Sequence, residues 1–264
     1  MSLDPSPREL VDFAVDAAWI AGRITLEYFQ TPVAHEKKAD ASPVTIADRR
    51  AETVLRELIS ARYPAHAVLG EEFGRSGPDD ARYRWILDPI DGTLSFISGV
   101  PIYGVMVAVE CEGEPVAGVV NLPALGELVA AGRGEGCYWN GRRAGVSSTG
   151  RLADALVVCT DVTGMEKYGR GAEYARVRDA SRMQRTWGDC YGHILVATGR
   201  ADVMLDPVMN IWDTAALRPI LEEAGGTFTD WAGNATHTAP EAVSTNGVLL
   251  DELLAVVAST PSCL

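Results

Sequence analysis

Basic residues are scarce in this chain: 23 lysines and arginines stand against 36 aspartates and glutamates, giving a formal net charge of −13. A surface of that sign repels phosphate backbones and anionic lipid, so no nucleic acid and no membrane is expected as a partner. Long apolar runs are also missing. None approaches the ~20 residues needed to span a bilayer, and Met1-Ser2-Leu3-Asp4-Pro5 carries no basic segment followed by an apolar one. A soluble, cytoplasmic protein is expected. The five cysteines, Cys111, Cys137, Cys159, Cys190 and Cys263, form no Cys-x-x-Cys pair and have no histidine at zinc-ligand spacing. This predicts free thiols and argues against a structural zinc site. Internal repeats and low-complexity segments are absent as well, which excludes solenoid and collagen-like architectures.

What remains is ordinary globular composition, 47% apolar and 22% charged, sufficient for a sizeable core. Over 264 residues we expect a single catalytic domain of two lobes, 1–148 and 149–264, with the boundary near 145–152. Leu10, Phe13, Ala14, Ala17, Ile20, Ala21 and Ile24 recur at helical period, so the first element is an amphipathic helix. A second helix begins near Thr45, carries Val54, Leu55, Leu58 and Ile59 on one face, and ends before Tyr63-Pro64. The run Trp85-Ile86-Leu87 reads as a strand that stops at Asp88-Pro89, because proline cannot donate to a sheet ladder. Residues 102–110, 115–121 and 127–131 read as a β-meander, with Asn140-Gly141 as a hairpin turn. Beyond Gly150 we expect strands near 155–160, 201–205, 226–230 and 242–249, and helices near 170–182, 188–199 and 214–224.

The chemistry gathers in the acidic residues. Asp88 and Asp91 stand three apart in Asp88-Pro89-Ile90-Asp91-Gly92-Thr93, at the expected C-terminal mouth of a strand, where Pro89 and Gly92 can turn both carboxylates and the Ile90 carbonyl toward one point. Hard divalent cations require several such oxygens. Gly92 also leaves nearby N–H groups open to phosphate oxygens. Each residue has an ordinary reading on its own: Asp-Pro and Asp-Gly are everyday turns, Glu71-Glu72 a solvated pair, Thr45 with Asp48 a capping box, and Asp213 a helix N-cap. Their joint occurrence carries the argument.

Together these segments resemble the inositol monophosphatase superfamily. Its two signatures match as Trp85-Ile86-Leu87-Asp88-Pro89-Ile90-Asp91-Gly92-Thr93 and as Trp212-Asp213-Thr214-Ala215-Ala216 running to Glu223-Ala224-Gly225-Gly226. Thr45-Ile46-Ala47-Asp48 and Gly70-Glu71-Glu72 match in the same order, so the likeness spans nearly the whole chain. It implies an α/β fold, an α-β-α-β-α sandwich of the inositol monophosphatase and fructose-1,6-bisphosphatase type, and a Mg²⁺-dependent, often lithium-sensitive homodimeric phosphomonoesterase acting on a small-molecule phosphate monoester. By the same likeness Glu71, Asp88 and the Ile90 carbonyl hold a first Mg²⁺, Asp88, Asp91 and Asp213 a second, and a third sits near Glu71. Thr93, backed by Asp48, orients and deprotonates water, while Gly92, Thr93 and Leu94 cradle the phosphate through N–H groups. Leu94 departs from the polar residue common at its position.

Substrate choice rests on Gly188, Asp189 and Asp206. The wording around Ser42–Asp48, Trp187–His193 and Leu205–Asp213 looks most like the histidinol-phosphatase branch, and histidinol phosphate carries an amine that a desolvated carboxylate pairs with well. Asp206 has an acidic counterpart in inositol-specific relatives, so Asp189 is the better marker. His193 reads as a satisfied buried histidine, and Trp187 and Trp212 as core or pocket wall. Inositol-1-monophosphatase is the competing enzymatic reading and a non-catalytic partner-binding member the reading from another class. A haloacid-dehalogenase-type site is disfavoured by the Asp-x-x-Asp spacing and the two leading helices. Residues 31–44 are a candidate loop over the site.

Overall fold

The Ser6 hydroxyl accepts a hydrogen bond from the Glu9 N–H while the Glu9 carboxylate accepts one from the Ser6 N–H, and with Pro7 in the first turn this capping box starts helix α1 (Pro7–Leu26). The computed structural model describes residues 4–32, 35–37 and 43–259. After α1 come the short antiparallel pair β1 (His35–Lys37) and β2 (Pro43–Thr45), then α2 (Ile46–Arg62), capped by Thr45 and Asp48. The expected loop 31–44 therefore includes this pair, and its residues 33, 34 and 38–42 lie outside the described residues.

Next follow β3 (Ala67–Gly70), β4 (Gly74–Ser76), β5 (Tyr83–Asp91), α3 (Thr93–Ile97), β6 (Gly104–Cys111), β7 (Glu114–Leu122), β8 (Glu127–Gly132), β9 (Gly136–Trp139) and β10 (Arg142–Arg143). They form an eight-stranded sheet in the order β10-β9-β8-β7-β6-β5-β3-β4. β6 through β10 hold the antiparallel meander and hairpin read from the sequence, β5 joins β6 antiparallel, and β3 runs parallel to β5.

The second half contributes β11 (Leu156–Cys159), α4 (Val162–Lys167), α5 (Gly171–Ala180), β12 (Met183–Arg185), α6 (Asp189–Ala197), β13 (Val203–Asp206), α7 (Ile211–Thr214), α8 (Leu217–Glu223), β14 (Thr227–Thr229), β15 (Ala242–Thr245) and α9 (Leu250–Ala258). Its five strands form a second sheet, β12-β11-β13-β15-β14, in which β11 is parallel to both β12 and β13. The chain passes from one sheet to the other between Arg143 and Leu156.

Strand period sorts the core into layers. Val105, Val107 and Val109 of β6 face α1 and α2 with Leu10, Ala14, Leu55 and Ile59, whereas Met106 and Ala108 face the opposite way, toward α6 and α8. In the second sheet Val158 and Met204 join that middle layer, while Val157, Val203 and Leu205 face Tyr174 of α5 and Leu253 of α9. Helices, sheet, helices, sheet, helices is the α-β-α-β-α sandwich expected. The layers touch closely at Gly118, where a Cβ would lie 2.1 Å from the Ala216 carbonyl oxygen, so α8 rests on the backbone of β7.

Three local expectations are corrected. The strand expected to end at Asp88-Pro89 continues to Asp91, because the missing proline N–H falls in a bulge and no ladder bond is lost there. The single helix expected at 214–224 is two, α7 and α8, and Asn210, not Asp213, is the N-cap of α7. Trp187 is not a core residue: it is 42% exposed. Helices α4 and α9 and strand β12 were not anticipated. Cys111, Cys137, Cys159 and Cys190 are all free thiols, as expected, and Cys263 lies outside the described residues.

Candidate functional site

A spacing of three should place Asp88 and Asp91 on opposite faces of a regular strand. In β5 it does not, because Asp88 pairs with Met106 and Asp91 with Gly104, so three steps along β5 match two along β6. The extra residue turns both carboxylates to one side. The Asp88 Oδ1 accepts the Ile90 N–H at 3.0 Å, which fixes the bulge from within, and the Thr93 hydroxyl donates to the Ile90 carbonyl at 3.1 Å. Gly92 follows with φ of 79°, a left-handed conformation suited to glycine, and starts α3 with no side-chain cap. The first N–H groups of α3, from Thr93 and Leu94, therefore have no intrahelical partner. The Leu94 side chain is 69% exposed and takes no part in the cleft.

Because β3 and β5 are parallel, their C-terminal ends coincide, and Glu71, whose N–H donates to the Leu87 carbonyl at 3.2 Å, arrives beside Asp88. Asp213 comes from α7, where its Oδ2 accepts the Asn210 N–H at 2.7 Å. One carboxylate oxygen from each of Asp88, Asp91 and Asp213 lies within 4.8 Å of the others. The electrostatics register the crowding. Burial, then the charges of Glu71, Asp91 and Asp213, push the Asp88 carboxyl well above the usual range. Burial and the charges of Asp189 and Asp213 do the same to Asp91. Asp213 is pushed up to about 7 by burial first, with Glu71 adding to it.

Asp48, in the first turn of α2, is 1% exposed. Its Oδ2 accepts from the Thr45 N–H at 2.8 Å and the Thr45 hydroxyl at 2.6 Å, while its Oδ1 is buried without a hydrogen-bond partner. Burial raises its pKa, and the nearby Glu71 charge acts in the same direction. No hydrogen bond joins Asp48 to Thr93 among the described residues; the Thr93 hydroxyl is turned to Ile90 instead. The donor set is all oxygen, and no basic side chain forms an ion pair with Asp88, Asp91 or Asp213 among the described residues. Crowded carboxylates and an unpartnered buried oxygen fit a hard divalent cation such as Mg²⁺, which takes oxygen ligands and would relieve the repulsion.

A cleft of about 230 Å³ opens from this cluster toward the second sheet, lined by Asp91, Asp213, Asp189, Asp206, Thr160, Asp161, Tyr168 and Val208, among others. Here too parallel strands set the geometry, since Thr160 and Asp206 lie at the adjoining C-terminal ends of β11 and β13. Asp189 is the first residue of α6 and takes φ of 53°, strained for a non-glycine residue. Its carboxylate packs on Gly92, where a Cβ would come within 2.8 Å of Asp189 Oδ2. Burial and the Asp206 charge push the Asp189 carboxyl up to about 6. Next to it, the Cys190 N–H donates to Asp91 Oδ2 at 2.6 Å, tying α6 to the bulge.

Asp206 is already engaged: its Oδ1 accepts from the Thr160 hydroxyl at 2.7 Å, and its Oδ2 lies 3.1 Å from His193 Nε2. His193 is fully buried, with Nδ1 2.7 Å from the Ser244 hydroxyl, so it is the satisfied core histidine the sequence suggested. Gly188 contributes through the lack of a side chain, since a Cβ there would sit 2.1 Å from Thr160 Cα. The structure thus gathers Glu71, Asp88, Asp91 and Asp213 and places Asp189 and Asp206 in the cleft that adjoins them. Sequence reasoning missed Thr160, Asp161, Tyr168 and Val208, of which the first two were within reach, because they follow a recognised strand at its C-terminal mouth.

The model of the inositol monophosphatase family matches residues 6–261. The chain belongs to that family. Among curated members, the histidinol-phosphatase of Chlorobaculum parvum is 43% identical over 94% of this chain and 96% of its own length. The inositol-1-monophosphatase of Mesorhizobium japonicum is 34% identical, covering 85% of this chain and 86% of its own. Among solved family structures, that of the extragenic suppressor protein suhB from Bartonella henselae superposes with a TM-score of 0.88 at 29% identity, over 95% of this chain and 98% of that one. The family frame thus agrees with the layered α/β architecture and its central mixed sheet. No helix among the described residues is long and apolar enough to cross a membrane.

Proposed function

We propose that this chain is a Mg²⁺-dependent histidinol-phosphate phosphatase, releasing L-histidinol and inorganic phosphate. The coarser statement, a metal-dependent phosphomonoesterase of the inositol monophosphatase superfamily, is supported by family membership and by the three clustered aspartates. The finer one rests on one observation. The cleft beyond that cluster is lined by several aspartates and, among the described residues, by no lysine, arginine or histidine, and Asp189 is the carboxylate left to meet a cation. Asp206 is bonded by Thr160 and His193, and Asp161 by the Thr163 and Gly164 N–H groups. Among the described residues the Asp189 carboxylate has only the Ser95 hydroxyl, at 3.4 Å. An ammonium group suits such a site, whereas an uncharged polyol gains less from it. The 43% identity to a histidinol-phosphatase supports the same choice.

In this reading Glu71, Asp88, the Ile90 carbonyl, Asp91 and Asp213 would hold two Mg²⁺, with a third near Glu71. An ion bound there would supply charge neutralisation for the phosphate and acidity to a water at neutral pH. The chain's own residues do the rest. Asp48, whose Oδ1 has no partner, takes the proton that Thr93 passes on once its hydroxyl turns from the Ile90 carbonyl. The N–H groups of Gly92, Thr93 and Leu94 receive the phosphate oxygens, and Asp189 holds the leaving alcohol's amine, with Gly188 and Asp206 shaping that end. A homodimer, the family's usual assembly, completes the proposal. The test is product inhibition: L-histidinol should compete with substrate far better than myo-inositol does. Equal, weak inhibition by both would remove the support for an ammonium subsite.

A further inference from the structure

We propose that Thr160 is the positioning residue that sets the enzyme's preference for esters of cationic alcohols, by holding the strained backbone of Asp189 in place. This rests on the reading of Asp189 given above. The Thr160 hydroxyl donates its only proton to Asp206 Oδ1 at 2.7 Å and, on its lone-pair side, accepts the Asp189 N–H at 2.9 Å. Asp206 cannot move to release it, because its Oδ2 is held by His193, which is anchored in turn by Ser244. A chain of four groups therefore runs from the buried interior of β15 to one backbone N–H at the head of α6.

That N–H belongs to a residue with φ of 53°, a strained conformation for a non-glycine residue that persists only where surrounding contacts enforce it. Two contacts do so. The Thr160 hydroxyl grips Asp189 on one side, and the Cys190 N–H, bonded to Asp91 Oδ2 at 2.6 Å, grips the next peptide on the other. Between them the Asp189 side chain is laid across Gly92, facing the cleft. Thr160 thus acts through Asp189, aiming a carboxylate without itself needing to touch the substrate.

The experiment is a double-mutant cycle of Thr160→Val and Asp189→Asn, with L-histidinol phosphate and β-glycerol phosphate, an ester of an uncharged alcohol, as substrates. Thr160→Val keeps the shape and loses the hydroxyl. The ratio of kcat/KM for L-histidinol phosphate over that for β-glycerol phosphate should fall about tenfold, the size expected for one hydrogen bond supporting a charged contact, and the fall should lie in KM. Thr160→Ser should restore the ratio, and Thr160→Val should lower it no further once Asp189→Asn is present. An equal loss on both esters, or losses on the ratio that multiply in the double variant, would overturn the role of Thr160 while leaving the substrate reading intact. A ratio unchanged by Asp189→Asn alone would overturn the substrate reading and this proposal with it. Thermal melting of each variant separates unfolding from mispositioning.

Discussion

Replacing Asp213 by asparagine should stabilise the metal-free protein at alkaline pH while weakening its response to Mg²⁺. The folded-state pKa of about 7 lies above the ordinary carboxylate value of 3.8. The fold therefore prefers the protonated acid. Its stability is fully present below about pH 4 and is lost as pH rises toward and through 7. Each pH unit of that interval is worth about 1.4 kcal/mol, so ionised Asp213 withholds on the order of 4 kcal/mol from the metal-free fold at pH 8. Asp88 and Asp91 act in the same direction. His66, whose pKa is lowered by burial, acts in the opposite one, losing stability as pH falls. The difference between wild type and Asp213→Asn isolates the one residue. At roughly 2–4 °C per kcal/mol for a chain near this size, Asp213→Asn in EDTA should melt about 10 °C above wild type at pH 8 and close to it at pH 4. Mg²⁺ should raise the wild-type Tm strongly at pH 8 and that of the variant much less. Equal melting of both proteins in EDTA across this range would refute the claim that burial, with the crowding of carboxylates, disfavours an ionised Asp213 in the absence of metal.

Asp91→Asn should abolish turnover of every ester without unfolding the protein, a loss beyond the ~10–100-fold typical of outer partners of a metal ligand; steady-state kinetics alongside circular dichroism decides it. Glu110→Ala should cost on the order of 3 kcal/mol in urea unfolding, because Glu110 is 1% exposed and pairs with both Arg84 and His237, which it would leave without their carboxylate. It should also weaken Mg²⁺ binding, since the His237 carbonyl accepts the Thr214 hydroxyl beside Asp213. A normal urea midpoint in this variant would count against the pairing.

What could be read from the sequence follows from what is local. The period in α1, the capping box at Thr45 and Asp48, and the β-rich runs broken by turn residues in the meander all act within a few residues of chain, and each produced the element expected. The aspartates of the site were legible because their spacing and companions follow a family order. Their geometry was not. Pro89 was read as a strand stop, since nothing in the local sequence announces that β6 will supply a bulge partner and carry the pairing on to Asp91. The same limit hid Thr160: its hydroxyl matters only because β11 and β13 pair in parallel and bring Asp206 and Asp189 to it. Helix α9 went unread although Leu250, Leu253, Leu254 and Val257 recur at helical spacing as plainly as the apolar residues of α1. Asp206, chosen as a substrate residue, proves already bonded on both oxygens, which shifts the burden of specificity to Asp189.

The most direct measurement is phosphate release with Mg²⁺ from L-histidinol phosphate, inositol 1-phosphate, fructose 1,6-bisphosphate and adenosine 3′,5′-bisphosphate, compared by kcat/KM with an EDTA control. The account predicts activity that EDTA removes and a clear preference for L-histidinol phosphate. Equal rates on inositol 1-phosphate would contradict the substrate, and release that survives EDTA would contradict the metal site itself.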